Sequence, residues 1–270
     1  MMKILLIGSN GNMGKNHYRI LKKLLQTTEH KLITCDWSGN TDYNDYIQAV
    51  EIESPNIVLI ASPTETHEEI LDFCLKHKFI KKIFVEKPIS MKSPEKYLNK
   101  RIFVGHIERY NPVVRTIKKQ LGNKKIYNIT CLRSGLTTPG EDFNVDLDLC
   151  IHDFDAATYL TKQDKPTHYS NKIAKFIEAN MADIMCRIND VTCFFHADKK
   201  SPIKRRTISV LAEDTYIEAD YINQSLTVNG RNVTVHKEEP LQNELKTFLF
   251  EELDTRALED AINAVRCLNG

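Results

Sequence analysis

Lys87 stands between Glu86 and Pro88 at the end of an apolar run, and Asp148 and His152 lie four residues apart in a helical pattern. A lysine emerging from a buried strand can stabilise the alkoxide that forms as hydride leaves a carbon, and such electrostatic stabilisation is often the largest catalytic contribution. The i,i+4 spacing sets Asp148 and His152 on one helical face. There an imidazole with an unperturbed pKa of about 6.5 can take a proton from an alcohol while the carboxylate orients it. These three side chains fit the oxidation of an alcohol. Each also has a plainer reading: Lys87 as a surface lysine after an edge strand, and the Asp/His pair as a structural contact. The Lys87-Pro88 bond can be cis or trans. His152, Asp153 and Asp155 resemble part of a metal cluster, but no second compact group of ligands accompanies them, so no metal is expected.

A hydride needs an acceptor, and the amino terminus offers a place for one. Gly8-Ser9-Asn10-Gly11-Asn12-Met13-Gly14 follows a short apolar strand and opens a helix, the context in which a glycine turn lets backbone N–H groups approach a pyrophosphate. Its spacing is GxxGxxG, one residue wider than the commoner GxGxxG. Asp36 ends the next strand, where a carboxylate binds an adenosine ribose and repels a 2′-phosphate, favouring NAD over NADP. Asp36 could instead only end the strand, and Ser38 and Asn40 could fold around a phosphate. The third strand ends in Ala61-Ser62-Pro63-Thr64-Glu65-Thr66-His67. Thr64 reads as the helix cap, and His67 either takes the capping-box position or meets the cofactor. The expected cofactor contacts are thus Gly8, Asn10, Gly11, Asn12, Met13, Gly14, Asp36, Ser62, Pro63, Thr64, His67, Glu86 and Lys87.

The elements that must position these residues change rhythm near residue 105. Before it, apolar runs at Lys3–Ile7, Lys31–Cys35, Asn56–Ala61, Lys82–Val85 and Ile102–Val104 alternate with helical patterns such as Met13–Leu25 and Glu65–His77, which predicts a Rossmann-like, doubly wound parallel sheet. After it, helices over Asn111–Leu121 and Leu147–Leu160 precede strand-like runs at Ile126–Leu132, Phe176–Ile188, Val191–His196, Thr207–Ala212, Tyr216–Asp220, Ser225–Val228 and Asn232–Val235. Turn signals at Asn189-Asp190, Glu213-Asp214 and Asn229-Gly230 predict a mainly antiparallel open sheet covered by helices. Leu241–Phe250 and Ala257–Leu268 close the chain as helices. The fold class is α/β followed by α+β, with a dinucleotide-binding domain over 1–107 and a substrate-binding and oligomerisation domain over 108–270.

Composition narrows the partners. The 270 residues carry 37 Lys and Arg against 36 Asp and Glu, a net charge of +1 that gives no long-range field for nucleic acid or an anionic membrane. Lys199-Lys200 and Lys204-Arg205-Arg206 flank a predicted turn and read as a solvated hairpin end. Seven cysteines without a CxxC pair point to a reducing compartment, hence the cytoplasm. No apolar run approaches the roughly 18 residues needed to cross a bilayer.

The order of glycine turn, Glu-Lys-Pro and Asp-x-x-x-His resembles the Gfo/Idh/MocA family of nicotinamide-dependent oxidoreductases. The resemblance rests on Asn12-Met13-Gly14-Lys15-Asn16-His17, Pro63-Thr64-Glu65-Thr66-His67, Val85-Glu86-Lys87-Pro88, Val104 to Pro112 and Asp148 to Asp155. Gly105-His106-Ile107-Glu108-Arg109-Tyr110-Asn111-Pro112 and the Asp148 segment are most similar to the members that oxidise C3 of UDP-N-acetylglucosamine. The resemblance implies NAD as cofactor, Lys87 as the catalytic lysine, His152 as proton acceptor with Asp148 as its partner, and an amino-sugar pathway. It also implies a nucleotide-sugar or sugar substrate bound by Lys87, Arg109, Tyr110, Asn111, Arg133, Asp148 and His152. Arg109 and Arg133 could grip a diphosphate, or Arg109 could pair with a carboxylate; Tyr110 could face the crevice or the core. The chain departs from the family in the extra turn residue, in Asn144 where Gly is usual, and in a crossover between Pro88 and Ile102 with room for barely two helical turns. A homodimer or homotetramer is implied, joined through alternating residues such as Ile208, Val210 and Ala212. Alternatives are an inositol or other sugar dehydrogenase of the same family, or an NAD-binding sensor or scaffold without turnover.

Overall fold

The computed structural model describes residues 2–92, 94–136, 145–161, 167–169, 174–178 and 180–269; Asn144 lies outside them. The chain forms two compact units, one of 1–106 with 241–262 and the other of 107–240 with 263–270. The first boundary therefore falls one residue before the expected 107/108, and a stretch expected in the second domain joins the first.

In the first unit, five strands β1 (Lys3–Ile7), β2 (Lys31–Cys35), β3 (Ile57–Ile60), β4 (Lys82–Glu86) and β5 (Ile102–Gly105) form a parallel sheet in the order β2-β1-β3-β4-β5. Their near-continuous Ile, Leu and Val runs suit strands buried on both faces. Helix α1 (Asn12–Leu25) buries Ile20, Leu21 and Leu25, and α3 (His67–Lys76) buries Ile70, Leu71 and Cys74. Between β2 and β3 lies α2 (Tyr46–Glu53), a helix absent from the predicted elements. It is short and buries only Ala49 and Val50, so it has no long apolar stripe; Asp45 caps it by accepting from the Ile47 N–H at 2.9 Å. Among its described residues, the crossover from Pro88 to Ile102 holds a single 3-10 turn, Pro94–Tyr97.

In the second unit, α4 (Pro112–Leu121) precedes β6 (Ile126–Ser134), and a π-helical turn at Asp146–Cys150 runs into α5 (Ile151–Thr161). Strands β7 (Ala174–Glu178), β8 (Met181–Ile188), β9 (Val191–Asp198), β10 (Arg205–Ala212), β11 (Thr215–Asp220), β12 (Ser225–Val228) and β13 (Arg231–Val233) complete an eight-stranded sheet ordered β13-β12-β11-β10-β6-β9-β8-β7. The single strand expected over Phe176–Ile188 is thus two, β7 and β8. Only the β6–β9 pair is parallel. The turns at Asn189-Asp190 and Asn229-Gly230 have positive φ at both residues, the tight-hairpin geometry those dipeptides favour. Burial alternates along the strands, and Ile208, Val210 and Ala212 are buried on the helix-covered face. They cannot be the subunit contact they were expected to form, because that face is already used by the core. The opposite face carries Thr207, Ser209 and Leu211.

Helices α6 (Pro240–Phe250) and α7 (Thr255–Asn269) end the chain. Phe248 of α6 packs on Phe84 and Phe103 at centroid distances of 5.4 and 5.5 Å, which explains its place in the first unit. Lys82 donates to the carbonyls of Phe248 at 2.9 Å and Glu251 at 2.6 Å, satisfying acceptors that the helix end leaves open. All seven cysteines are unpaired thiols. No helix among the described residues is long and apolar enough to cross a membrane.

Candidate functional site

The strand order reverses direction between β1 and β3, and the glycine turn sits at their carboxyl ends, where open α/β sheets receive ligands. Gly8 has φ of 80°, and its N–H donates to Cys35 O at 2.9 Å. A Cβ there would lie 2.5 Å from Ser62 N, and one on Gly14 would lie 1.9 Å from Gly8 O. Both positions require glycine because backbone meets backbone. The first turn of α1 has no acidic residue and no side-chain cap, so its N–H groups and the helix dipole remain available to an anion.

Asp36 is built into the same place. Its Oδ2 accepts from Asn10 N–H at 2.9 Å, and its Oδ1 accepts from Ser38 N–H at 3.0 Å and Ser38 Oγ at 2.7 Å. Burial pushes this carboxyl up, but the bonds from Ser38 and Asn10 win and hold it below its ordinary range. The Asn10 amide also donates to Gly39 O at 2.7 Å, tying the loop after β2 to the glycine turn. Ser38 is thereby engaged with Asp36 and Asn10.

A cavity of about 650 Å³ opens here, lined by Gly11, Asp36, Trp37, Asp45, Tyr46 and Ser62 among others. Gly8, Asn10 and Pro63 also line it, whereas Gly14 shapes the turn and Asn12 and Met13 open α1. This volume suits part of a dinucleotide, and the uncapped N–H groups at the start of α1 beside it fit a diphosphate. Trp37, Asp45 and Tyr46 were not foreseen. Trp37, the chain's one tryptophan, follows the strand-ending Asp36 and is 85% exposed at the rim, which was a readable signal.

Two expectations at the end of β3 need correction. Helix α3 begins at His67, with Thr66 rather than Thr64 at its cap and no side-chain capping bond; the Thr66 hydroxyl instead donates to Pro63 O at 2.7 Å. His67 neither caps nor lines the cavity. It is buried with Nδ1 2.9 Å from Pro88 O and Nε2 3.0 Å from Ser62 O, bridging the loops after β3 and β4. Burial lowers its pKa more than those two carbonyls raise it.

The loop after β4 carries Lys87, and the Lys87–Pro88 peptide is cis. Glu86, the last residue of β4, does not line the cavity: its Oε1 lies 2.6 Å from Nε2 of the fully buried His17 on α1. Burial pushes the Glu86 carboxyl up, but the His17 bond outweighs it and the pKa is lowered. Glu86 is therefore fixed inside the unit beside Lys87.

In the second unit, Asp148 lies in the π turn and His152 in the first turn of α5. On this mostly buried segment, Asp148, Leu149, His152 and Tyr159 are the half-exposed positions. Both side chains are thus partly accessible, on a turn wider than an α-helix, and the His152 Nδ1 is buried without a hydrogen-bond partner among the described residues. Asp148 Oδ2 lies 2.9 Å from the Nζ of Lys199, whose side chain is 2% exposed. The solvated hairpin end expected at Lys199-Lys200 is corrected at its first residue.

Arg109 and Arg133 do not present their forks to a ligand. Arg109 donates to both oxygens of Asp155, at 2.7 and 2.6 Å. Arg133, 2% exposed, donates to Asp153 at 2.8 Å and Glu108 at 3.0 Å. Burial opposes the charge on Arg133, and Asp153 and Glu108 outweigh it. Burial also dominates at Asp153, pushing its carboxyl up to about 6. Asn111 is spent as well: its Oδ1 caps α4 through the Val113 N–H at 3.1 Å, and its amide donates to Glu108 at 3.1 Å. Tyr110 is half-buried, with the Arg115 guanidinium 5.1 Å from its ring centroid. The carboxylates of Asp153 and Asp155, which had suggested metal ligands, are engaged with arginine.

Comparison with known proteins agrees with this layout. Residues 2–99 match the Gfo/Idh/MocA model, described as an oxidoreductase family with an NAD-binding Rossmann fold. Among curated proteins, the chain is 32% identical over 127 residues to a myo-inositol 2-dehydrogenase of Thermotoga maritima, covering 40% of this chain and 37% of that protein. It is 27% identical over 161 residues to the uncharacterised oxidoreductase YrbE of Bacillus subtilis, covering 53% and 45%. The chain thus aligns with less than half the length of either relative. Among solved structures, the UDP-N-acetylglucosamine 3-dehydrogenase GnnA of Acidithiobacillus ferrooxidans superposes with a TM-score of 0.77 at 19% identity, over 98% of this chain and 95% of that one. A Gfo/Idh/MocA family oxidoreductase from Vibrio cholerae gives 0.71 at 16% identity, over 100% and 96%. These two similarities establish the fold.

Proposed function

We propose that the chain, whose residues 2–99 match the Gfo/Idh/MocA oxidoreductase family, is an NAD-dependent dehydrogenase of that family that oxidises a secondary hydroxyl of a nucleotide sugar, at C3 of UDP-N-acetylglucosamine. The observation that carries this reading is the glycine cradle with Asp36 in one cavity, in the same sheet whose β4 delivers Lys87. The Asp36 carboxylate supports NAD, since it offers ribose hydroxyls an acceptor and a 2′-phosphate a like charge. The bound nicotinamide supplies the acceptor for hydride from the carbinol carbon. His152 withdraws the hydroxyl proton, Asp148 stabilises the resulting imidazolium, and the Lys87 ammonium stabilises the developing alkoxide.

Arg206 supports an anionic substrate. It is the register partner of the buried Arg133, so its side chain shares the helix-covered face, and it is half-buried. Burial lowers its pKa, with Glu108, Asp153 and Asp148 acting the other way. It has no ion pair within 4.0 Å among the described residues. A partly desolvated guanidinium with its fork unspent suits a phosphate. It takes the role that Arg109 and Arg133 were expected to fill.

Lys87→Ala and His152→Ala should each lower kcat by about 10²–10⁴-fold with NAD affinity within a few fold. Wild-type turnover in either variant removes the mechanism. A second reading, oxidation of a cyclitol or free sugar, is favoured by the identity to myo-inositol 2-dehydrogenase. NAD reduction assayed with UDP-N-acetylglucosamine, its uronic acid, myo-inositol and free sugars separates the two. Preference for an uncharged substrate, unaffected by Arg206→Met, favours the second.

The reading includes self-association through the open sheet face. Register places Phe194 opposite Met185, and Leu211 opposite Tyr216, and all four are exposed. Light scattering should give a particle of at least twice the chain mass; a 31.1 kDa particle at micromolar concentration rejects it.

A further inference from the structure

The connection between β9 and β10 was expected to be a solvated turn, yet its first lysine is among the least accessible charges in the chain. Lys199 is 4% exposed overall, its Nζ lies 2.9 Å from Asp148 Oδ2, and its N–H donates to Asn180 O at 2.8 Å. Taking an ammonium out of water costs several kcal/mol unless a carboxylate meets it. The carboxylate it meets is the one placed one helical turn before His152.

Asp148 is only partly withdrawn from solvent, with 25% of its side chain exposed. Its Oδ2 is engaged by Lys199, which limits rotation of the carboxylate. Lys199 itself is held at its backbone, whose N–H donates to the Asn180 carbonyl, and along its buried stem, so it can fix a partner without being reordered. Other charges that face this turn are Arg206 of β10 and, on the turn itself, Asp146, whose Oδ1 accepts from Leu147 N–H at 2.9 Å. Among the described residues Arg206 has no ion pair with Asp148 within 4.0 Å, and Asp146 carries the same charge as Asp148.

We propose that Lys199 is a positioning residue for dehydrogenation: its buried ammonium fixes the Asp148 carboxylate in the orientation that His152 uses. The assignment rests on the reading above that Asp148 and His152 carry the proton transfer. Lys199 donates no proton and touches no reacting atom.

Steady-state kinetics with NAD and UDP-N-acetylglucosamine test it in the full-length chain. Lys199→Ala should lower kcat by about 10–100-fold, the range in which general base catalysis is impaired rather than abolished, while the KM for NAD stays within about twofold. Ethylammonium added to Lys199→Ala should recover several-fold in kcat, because a small cation can enter the space left beside Asp148. The recovery should be absent in Lys199→Met, where the thioether fills that space, and absent in Lys199→Ala combined with Asp148→Asn. A purely structural lysine would give no recovery that depends on Asp148. Wild-type kcat in Lys199→Ala, or a folded, slow variant that ethylammonium leaves unchanged, overturns the proposal. If Lys199→Ala does not fold, Lys199→Met decides: a kcat lowered at least about tenfold with NAD affinity intact supports it, and wild-type kcat overturns it. Asp148→Asn separates the two layers. Wild-type turnover there removes the proton-transfer reading itself, whereas a slow Asp148→Asn beside a fast Lys199→Ala removes only the role of Lys199.

Discussion

The glycine turn of the first unit and the charged cluster of the second are built on opposite plans. At the turn, recognition is made of backbone: Gly8, Gly11 and Gly14 bring N–H groups and a helix end to an open cavity whose lining includes Asp36 beside the turn, with Asp45 and Glu69 farther along it. In the second unit, Glu108, Arg109, Arg133, Asp153 and Asp155 satisfy one another in the interior, and little of their charge is left for a ligand. A charged motif is thus weaker evidence of binding than a strained turn. The turn's Gly8 and Gly14 hold backbone against backbone and so shape an open cavity, whereas a buried arginine is most simply explained by the carboxylates around it.

Removing one member of the buried cluster should have the largest effect. Arg133→Met strands Asp153 and Glu108 and should cost about 3–5 kcal/mol of stability, read by denaturant or thermal unfolding. Adding Asp153→Asn and Glu108→Gln should return much of that loss. A change below about 1 kcal/mol in the single variant would mean the cluster is solvated and the contrast with the turn is false. Gly14→Ala should be next. Its Cβ would lie 1.9 Å from Gly8 O, displacing the turn and weakening NADH binding by roughly 100-fold, or about 2.7 kcal/mol, in a fluorescence titration. Unchanged binding would place the cofactor elsewhere.

Asp36→Asn should change selectivity more than fold. The ratio of kcat/KM for NAD over NADP should fall by about tenfold, near 1.4 kcal/mol, since the repelling charge is gone while one oxygen still accepts from either Ser38 or Asn10. The smallest effect is expected at Glu53. Hydrogen bonds from Lys31 and Lys3 lower its carboxyl from 4.5 to about 2. Because the folded-state pKa is depressed, this contribution is present above pH 4.5 and is lost as pH falls towards 2. Glu53→Gln should cost about 0.2–1 kcal/mol at pH 7, with the gap to wild type closing in acid.

The parallel sheet was legible because its strands are apolar on both faces and its turns carry Gly, Asp or Pro. The glycine turn, Asp36 and the Lys87 loop were legible because each is a local signal at a strand end. What escaped reading depends on contacts distant in sequence. Lys199 meets Asp148 from 51 positions away in the chain numbering, and nothing beside it marks it as buried. Arg109 and Arg133 read equally well as phosphate ligands or as structural ions until their partners were placed. Helix α2 was missed because only two of its residues enter the core. Ile208, Val210 and Ala212 alternate as a subunit contact would, and alternation alone does not say which face the helices cover.

In the proposed reaction, hydride leaves C3 of a nucleotide sugar for NAD. UDP-N-acetylglucosamine deuterated at C3 tests it most directly, with the reduced cofactor analysed by mass spectrometry. One deuterium on the nicotinamide is expected, with a slower turnover than with the unlabelled sugar. Cofactor reduced without deuterium, or no reduction at all with this substrate, would contradict it.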